Sequence, residues 1–403
     1  MQAEATSDMW SKRREAVKTK IDESASTLND LSQDIWSHPE LAFEERYAHK
    51  VLTDFFEKEG FEVTRNYHLE TAFKATYGTD GGVHVCVISE YDALPEIGHA
   101  CGHNLIAECG AAAGLGIKAA MELDGTPIGR VTVLGTPAEE GAGGKVDLIK
   151  AGAFQGMDVA MMAHPYAYTV PQPVALSMLE IKIHFTGLAS HASAVPWEGV
   201  NALDAAVMCY TSISVMRQQL KPEWRVHGVF TNGGARPNII PEEAELLYYL
   251  RAPNSKQLDI LQAKVIGCAK GAAVATGCEV ECKSGCNYAN MIHNDALSLS
   301  FERHAEILGF SYPSERRGEK GGSTDMGNVS YVLPSIHPKF GIPTDAGTHT
   351  PGFTKWAGML EAQSPTLIQA KAMAMTGIDV MDPNTNLLKS AQEEFQKTVS
   401  GLT

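Results

Sequence analysis

The chain has 403 residues, of which 44% are hydrophobic and 20% are charged, as in a globular protein large enough for two or three domains. Its formal net charge of −15 argues against a nucleic-acid partner, since such partners need clustered Lys and Arg. No apolar run reaches the ~20 residues of a membrane span, and the charged N-terminal stretch lacks the apolar core of a secretion signal, so we expect a cytoplasmic protein without a membrane partner.

Strands and helices alternate in the first part of the chain. Apolar residues recur with helical periodicity over residues 8–36, and a second amphipathic helix is predicted over residues 48–60. The next predicted elements are strands at 61–67, 72–77 and 83–88, a buried helix at 104–123, a strand at 129–134, a helix at 145–151 and a strand at 159–163. This alternation indicates an α/β fold with a mainly parallel sheet, in which ligands bind at the C-terminal ends of strands.

The pattern changes after residue 175. The predicted elements there are a strand at 176–185, a helix at 201–220, strands at 225–231 and 243–250, a helix at 255–276 and a strand at 279–287. This β-α-β-β-α-β order is typical of a ferredoxin-like α+β unit. We therefore predict a catalytic domain in two parts, residues 1–175 and 291–403, with a second domain inserted at 176–290.

The second part of the catalytic domain returns to the α/β pattern. Its predicted elements are a helix at 295–308, strands at 331–333 and 335–340, and closing helices at 363–376 and 386–399. The eight cysteines are scattered, and without a secretion signal they should stay reduced. Cys278, Cys282 and Cys286 are evenly spaced, but they fall in a predicted strand, so we interpret them as structural.

Side chains that can bind metal follow several predicted strands. Cys101 and His103 lie in a Gly-bounded loop ahead of a helix, and thiolate and imidazole are ligands of transition metals. Glu139 and Glu140 follow a buried strand. Adjacent carboxylates there are costly unless a cation neutralises them, and the alternative is an exposed acidic turn.

Two further histidines extend this set. His164 and His349 each follow an apolar or Gly-rich stretch at a predicted strand end. One Cys, three His and two Glu in such loops would form a two-metal site. One carboxylate would bind metal, while the other would take a proton from a water molecule.

The inserted domain contains residues that would contact a substrate. His191 is either a polar loop residue or one that reaches a substrate carbonyl oxygen when two domains or subunits close. Asn238 and Arg251 are candidates for binding substrate in the same way. We interpret the remaining histidines of interest as structural: His184, His227, His293, His304 and His337.

Several sequence blocks occur together in a characteristic order. They are WSHPELAFEE at 36–45, SEYDALPEIGHACGHNLIAE at 89–108, GTPAEEGAGGK at 135–145, AHP at 163–165, FTGLASHASAVPWEGVNALDA at 185–205, RPNIIPEEAE at 236–245 and GTHTPGF at 347–353. Through these blocks the chain resembles the M20 metallopeptidase family, in its amidohydrolase branch, over nearly its whole length. The resemblance implies a zinc-peptidase-like catalytic domain, and it makes the inserted domain a lid and dimerisation domain of a homodimer.

The resemblance also assigns roles to residues. It implies a dinuclear site with two divalent ions and these ligands: Cys101, His103, Glu140, His164 and His349. It implies Glu139 as general base and acid, and His191 of a partner subunit as the group that stabilises the oxyanion. Asp92 stands where the family has an Asp beside a metal-ligand His. Asn238 and Arg251 are implied at the free carboxylate of the substrate.

This chain departs from the family pattern at two positions. Glu90 stands where the peptidase branches have a metal-ligand His, and Cys101 compensates for it. Asn104 replaces the Asp that many amidohydrolases of this branch have after Cys-Gly-His. A Cys-His-Glu ligand set suits Zn²⁺, with Mn²⁺ or Co²⁺ as alternatives.

The resemblance implies a metal-dependent amide hydrolase that cleaves dipeptides with a basic C-terminal residue (Lys, Orn or Arg), such as β-alanyl-lysine. The alternative is an N-acyl-amino-acid or aminobenzoyl-glutamate hydrolase. That enzyme would need a cationic pocket around Arg236, Arg251 or Lys339, whereas a basic leaving group needs a carboxylate. A more distant alternative is an inactive binding or scaffold protein that keeps the fold.

Overall fold

The computed structural model describes residues 2–123, 125, 128–319 and 321–401. The chain divides into two units. Unit one comprises Met1–Val174, Met291–Gly321 and Asp325–Thr403, and unit two comprises Ala175–Asn290 with Gly322–Thr324. Three residues from the later part of the chain thus group with the inserted segment.

Unit one begins with three helices, α1 Gln2–Glu23, α2 Ala25–Ser37 and α3 Arg46–Lys58. The single helix predicted over residues 8–36 is wrong, because the chain turns at Ser24 and forms two helices. Both bury apolar side chains, among them Ile21 and Leu28. The turn allows each helix to pack its own apolar face on the core.

Strands and helices then alternate up to residue 166. They are β1 Glu62–Arg65, β2 Phe73–Gly78, β3 Val83–Glu90, α4 His103–Glu122, β4 Gly129–Thr136, α5 Gly144–Lys150, β5 Val159–Met161 and β6 His164–Tyr166. The strand predicted over 159–163 ends early, and His164 begins a second short strand instead of a loop. α4 is buried along most of its length. It packs so closely on β4 that a Cβ added at Gly114 would clash with Val133.

Unit two has the predicted element order. It contains β7 Ser177–Thr186, α6 Ala202–Met216, β8 Arg225–Asn232, β9 Glu243–Ala252, α7 Ser255–Thr276 and β10 Glu279–Tyr288. The strands form an antiparallel sheet in the order β10-β7-β9-β8. Apolar side chains of this sheet, α6 and α7 form a core of their own. The predicted ferredoxin-like α+β fold is confirmed.

The later part of unit one differs most from the prediction. Its elements are α8 Asp295–Ile307, α9 Met326–Val329, β11 Ser335–Ile336, β12 Lys339–Gly341, α10 Pro351–Ala357, α11 Gln363–Met381 and α12 Leu387–Ser400. The strand predicted over 331–333 is wrong, since these residues form the turn after α9. The strand predicted over 335–340 is interrupted at Pro338, whose nitrogen has no hydrogen to donate, and its two parts join different sheets.

The main sheet of unit one has the strand order β1-β2-β4-β3-β5-β11. β4, β3, β5 and β11 are parallel, while β1 and β2 join them as antiparallel strands. The predicted mixed, mainly parallel sheet is therefore confirmed. β6 and β12 pair in a separate parallel sheet. Within the described residues, no helix combines the length and apolar character of a membrane-spanning segment.

A buried carboxylate, Asp379 of α11, connects three helices of unit one. Its Oδ1 accepts hydrogen bonds from Arg14 at 3.1 and 2.9 Å. Its Oδ2 accepts from Ser300 at 3.2 Å, from Arg303 at 3.0 Å and from His304 at 2.7 Å. Burial acts to raise the pKa of Asp379, but His304 and Arg14 outweigh it and lower that pKa. The carboxylate therefore stays ionised and holds α1 and α8 against α11.

Replacing Asp379→Asn should lower the free energy of unfolding by about 2–3 kcal/mol, because the charged donors of α1 and α8 lose their anion. Urea unfolding followed by circular dichroism measures this. The wild-type protein should lose this stabilisation as the pH falls below about 4, because a carboxyl group whose pKa is lowered by folding stabilises the protein only while it is ionised. The variant lacks this carboxyl group and should not show the loss. Asp382→Asn is the matched control, because among the described residues that side chain accepts hydrogen bonds only from the nearby Asn384. Equal losses in both variants would contradict the prediction.

Candidate active site

The parallel pairing of β3 and β4 places two acidic loops side by side. Glu90, the last residue of β3, pairs with Thr136, the last residue of β4. Both strands therefore end at the same edge of the sheet. The loop after β3 carries Asp92, and the loop after β4 carries Glu139 and Glu140. The predicted placement of these carboxylates at strand ends agrees with the structure.

The turn after β4 is held by a carboxylate that the sequence did not identify as important. Ala138 has a positive φ of 61°, which is uncommon for a residue with a side chain. Its backbone N–H donates to Oε1 of the buried Glu45 at 2.9 Å. Oε2 of Glu45 accepts from Thr71 Oγ1 at 2.7 Å. Burial raises the pKa of Glu45 to about 7. Glu45 thus fixes the turn from which Glu139 and Glu140 project.

Cys101 and His103 are brought to the same place by a tight loop. Gly102, between them, has a positive φ of 75°, and a Cβ at this position would lie 2.7 Å from Cγ of Pro165. Only Gly fits both conditions. The backbone N–H of His349, itself at a positive φ of 63°, donates to the carbonyl oxygen of Ala100 at 2.8 Å. His349 therefore lies beside this loop, although it follows no strand directly.

Short distances connect the predicted ligands. Cys101 Sγ lies 3.4 Å from His164 Nε2. His349 Nε2 lies 3.2 Å from Glu140 Oε1, and His103 Nε2 lies 3.9 Å from the same oxygen. All five predicted metal ligands therefore converge in unit one.

Three overlapping groups of donors could each hold a metal ion. Within each group, the ligand atoms all lie within 4.8 Å of one another. The groups are Cys101, His103 and His164; Cys101, Glu140 and His349; and His103, Glu139 and Glu140. Because each group shares members with the others, the cluster offers neighbouring positions for two ions.

Contacts with Asp92 orient two of these donors. Asp92 Oδ1 lies 3.0 Å from His103 Nδ1, and Asp92 Oδ2 accepts the backbone N–H of Glu140 at 2.9 Å. Since Nδ1 is engaged by Asp92, Nε2 of His103 is the ring atom free to bind a ligand. This buried Nε2 has no hydrogen-bond partner in the described part of the chain. An unpartnered, buried, correctly oriented imidazole nitrogen fits a metal-binding role.

The electrostatics of the cluster favour a cation. Burial raises the pKa of the Cys101 thiol, and it raises the pKa of Glu139, helped by the charges of Glu140 and Glu90. Burial and the neighbouring His103 lower the pKa of His164. Divalent ions would favour the thiolate, the carboxylate and the neutral imidazole, which are the forms that bind metal.

A buried ion-pair cluster adjoins these donors. Lys145 Nζ contacts Glu90 Oε1 and lies 2.6 Å from Asp325 Oδ1, and all three side chains are fully buried. The other oxygen of Glu90 lies 3.7 Å from His103 Nε2. The sequence blocks contain Lys145 and Glu90, but nothing in their spacing pairs them with Asp325, which is 180 residues beyond Lys145. This part of the site was missed.

Two of the histidines interpreted as structural are buried in unit one, His337 near His164 and His304 elsewhere. The ring of His337 is buried and lies 5.6 Å from the ring of His164, centroid to centroid. His304 instead contacts Asp379, in the helix network of unit one. Of the evenly spaced cysteines, Cys278 and Cys282 pack against the core of unit two.

His191 of unit two is exposed and locally oriented. Its Nδ1 accepts the backbone N–H groups of Ser193 and Ala194, both at 3.3 Å. A ring nitrogen that accepts carries no proton, so the neutral imidazole has its proton on Nε2. Nε2 is therefore a hydrogen-bond donor toward solvent. The neighbouring strand-like segment pairs His191 with Ile239 and places Asn238 next to it.

Arg251 does not join Asn238. Arg251 lies near the end of β9, and Asn238 precedes the start of this strand. The eight steps from Glu243 to Arg251 span roughly 26 Å of extended chain. Arg251 donates to Ser323 Oγ at 2.7 Å, and burial lowers its pKa. Within one chain, these two predicted substrate-binding residues cannot bind the same carboxylate.

Comparisons with known proteins agree with this architecture. A family model described as a peptidase dimerisation domain matches residues 177–276, within unit two. Human Xaa-Arg dipeptidase is 48% identical over 394 residues, which are 93% of this chain and 90% of the human protein. One of the subunits of the p-aminobenzoyl-glutamate hydrolase of Escherichia coli is 29% identical, over 94% of this chain and 93% of that protein.

A solved structure extends the comparison to the fold. A dinuclear metal-binding peptidase of the M20 family from Bacillus subtilis superimposes with a TM-score of 0.69 at 20% identity, over 90% of this chain and 99% of that chain. This likeness concerns the fold, while the identity to the human enzyme extends over nearly all of both chains. The chain belongs to the M20 peptidase family.

Proposed function

We propose that this protein is a metal-dependent dipeptidase that hydrolyses dipeptides with a basic C-terminal residue. The observation that carries the proposal is the convergence of five candidate metal ligands and the carboxylate of Glu139, in a chain 48% identical to a protein named Xaa-Arg dipeptidase. The reaction breaks one amide bond with water. It needs a group that accepts and returns a proton, and a group that stabilises the carbonyl oxygen.

The metal ligands are proposed to be the residues whose donor atoms converge: Cys101, His103, Glu140, His164 and His349. Two divalent ions bound there would supply Lewis acidity and lower the pKa of a water molecule. Zn²⁺ suits a set of thiolate, imidazole and carboxylate donors, with Mn²⁺ or Co²⁺ as alternatives. Asp92 keeps His103 in the tautomer and orientation that present Nε2 to an ion.

Glu139 is proposed as the proton carrier. It lies within 4.8 Å of the donor atoms of His103 and Glu140, so it is next to the reacting groups. Burial and neighbouring carboxylates raise the pKa of Glu139, while divalent ions bound beside it would favour the carboxylate, which is the form that accepts a proton. Glu139 takes a proton from the attacking water and passes it to the nitrogen of the leaving amine. Glu45 holds the turn in which Glu139 lies.

His191 is proposed to donate its Nε2 hydrogen to the carbonyl oxygen of the scissile bond as negative charge develops there. The two backbone N–H groups on Nδ1 support this role, because they leave the proton on Nε2. Exposed apolar side chains surround this loop, among them Leu188, 55% exposed, and Trp197, 76% exposed. Such a loop suits insertion into a partner subunit.

A homodimer through unit two is proposed on two grounds. β8 is an edge strand, and Val229 and Phe230 on it are 59% and 41% exposed. The adjacent α6 exposes Tyr210, whose ring lies 5.6 Å from that of Phe230, and Val215, 68% exposed. An unpaired edge next to an apolar patch is typical of a surface that pairs with a second copy. The matched family model describes a dimerisation domain.

The proposed compartment is the cytoplasm. All eight cysteines are free thiols, which suits a reducing compartment. The net charge of −15 also makes a nucleic-acid partner a poor fit. The proposed partners are therefore a small dipeptide and a second copy of the chain.

A second candidate is hydrolysis of an N-acyl amino acid or of an aminobenzoyl-glutamate type compound. The 29% identity to one of the subunits of a p-aminobenzoyl-glutamate hydrolase favours it, although less strongly. An anionic leaving group would then need a cationic pocket. The inactive-scaffold alternative is disfavoured by the complete donor set and the buried Glu139.

The substrate class is tested with dipeptides that share an N-terminal residue and end in Lys, Glu or Leu. We expect kcat/KM of the metal-loaded enzyme to be highest for Lys, by about tenfold or more, since a pocket that pairs a charge rejects analogues lacking it. Amine release measures turnover. A preference for Glu would instead favour the aminobenzoyl-glutamate type of activity. If two metals are bound and none of the three is cleaved, the dipeptidase proposal is wrong.

The adjacent carboxylates should have separable roles. Glu139→Gln should retain two metal ions per chain and lose about 10²–10⁴-fold in kcat, because the proton acceptor is gone. Glu140→Gln should bind less metal, because a ligand is gone. Metal content by mass spectrometry after gel filtration, together with kcat, distinguishes the two. Normal turnover of Glu139→Gln with metal bound would exclude Glu139 as the base.

Mixing two inactive variants tests whether His191 acts in a partner subunit. Glu139→Gln and His191→Ala should each be nearly inactive alone. In a mixed dimer, with one chain of each variant, one of the two sites contains an intact Glu139 from one chain and an intact His191 from the other. A random 1:1 mixture should therefore recover about a quarter of wild-type activity. Mixed dimers without activity would place His191 in its own subunit's site.

A further inference from the structure

Lys339 is a cation beside the candidate active site. β12 pairs with β6 in parallel, and this register sets Lys339 opposite His164. The charges of Cys101 and Glu139 both act on the Lys339 ammonium. The sequence offered Lys339 only as one of three cations for an anionic leaving group, and it is not a member of the metal-binding groups, but the register sets it beside a proposed metal ligand.

In the described part of the chain, none of the anionic groups near Lys339 forms an ion pair with it. The side chain is partly buried, and burial lowers its pKa. Its ammonium packs against the face of the Tyr166 ring, 4.1 Å from the centroid. A cation–π contact of this kind is weaker than a charge-assisted hydrogen bond to a carboxylate.

The carboxylate of Glu319 also acts on Lys339, but other groups engage it. Glu319 lies 3.8 Å from Arg316, and burial together with Glu319 raises the pKa of the Tyr168 hydroxyl to about 12. Both contacts draw this carboxylate toward other partners. Lys339 is thus a partly desolvated ammonium with capacity for one external anion.

We propose that Lys339 binds the α-carboxylate of the substrate's C-terminal residue, an inference that rests on the dipeptidase function proposed above. In a dipeptide, the scissile nitrogen and the carboxylate carbon are attached to the same Cα, so they are about 2.5 Å apart. The carboxylate must therefore lie close to Glu139, which serves the same nitrogen. Lys339 stands opposite the proposed ligand His164 in the register of β6 and β12, so it is a cation beside the donor cluster.

The assignment of Lys339 also removes a difficulty with Asn238 and Arg251, the residues predicted from the sequence to bind the substrate carboxylate. Asn238 and Arg251 lie at opposite ends of β9, so one chain cannot bring both to one carboxylate. Lys339 belongs to the same unit as the metal-binding donors. Recognition of a free carboxylate next to the scissile bond restricts cleavage to dipeptides, since a longer peptide has a neutral amide there.

The test compares a dipeptide ending in Lys with its C-terminal primary amide, for metal-loaded wild type and Lys339→Met. We expect wild type to lose about 10- to 100-fold in kcat/KM on the amide. Lys339→Met should lose a similar factor on the acid, mainly through KM, and should cleave the amide as wild type does. Lys339→Arg should restore part of the preference for the acid.

Matched controls separate this role from a structural one. Lys74→Met removes another lysine that stacks on a tyrosine ring, 4.6 Å from the Tyr67 centroid, in a cavity of about 270 Å³ shared with His84 and Arg130. It should leave the acid preference unchanged. Metal content of Lys339→Met should equal that of wild type.

Calorimetry adds a readout that does not depend on turnover. Binding of the same dipeptide to the metal-loaded Glu139→Gln enzyme should weaken by about 10- to 100-fold when Lys339→Met is added. If wild type cleaves dipeptides but Lys339→Met prefers acid over amide as strongly as wild type, the inference is wrong and the dipeptidase function stands. If wild type cleaves neither compound, the dipeptidase function fails, and unchanged binding in the calorimeter would overturn the Lys339 assignment as well.

Discussion

The site in unit one depends on neutralising buried carboxylates. Glu90, Asp92, Glu139, Glu140 and Asp325 lie at the ends of neighbouring parallel strands or beside them, and nearly all are out of contact with water. Isolated buried carboxylates would be very unfavourable. The buried ammonium of Lys145 offsets part of this charge, between two of the five. Histidines and divalent ions would neutralise the remaining negative charge. The burial of these carboxylates, which destabilises the fold, therefore also favours the binding of metal ions.

Local backbone geometry gives this cluster its precision. Ala138 and His349 both adopt positive φ angles, which side chains disfavour, and both belong to loops that deliver donors. Glu45 holds the first of these turns through a backbone N–H, and the carbonyl of Ala100 holds the second. Strain of this kind persists only where surrounding contacts enforce it. These contacts hold the donor-bearing loops in place, which reduces the reorganisation that metal binding requires.

The division of labour between the two units has a chemical basis. Unit one contains the donors, the proposed base and Lys339, all of which must lie within a few ångströms of one amide bond. Unit two contains His191, an exposed imidazole whose tautomer is set by its own loop. In the proposed mechanism, this donor completes the site when substrate or a partner subunit brings it there. The exposed edge of β8 and the apolar face of α6 provide a surface for such a partner.

The sequence by itself determined the fold class, the β-α-β-β-α-β insertion and the convergence of six donor side chains, because periodicity and short blocks record local structure and strand-end positions. The periodicity did not reveal the break at Ser24, where each helix packs its own apolar face on the core, or the interruption at Pro338, which has no N–H to donate. Only the tertiary structure shows that Lys145 pairs with Asp325, that Glu45 accepts the backbone N–H of Ala138, and that Asn238 and Arg251 lie far apart. These relations join residues far apart in the chain or at opposite ends of one strand. No local pattern encodes them, since they arise when strands align in register and buried charges must find partners.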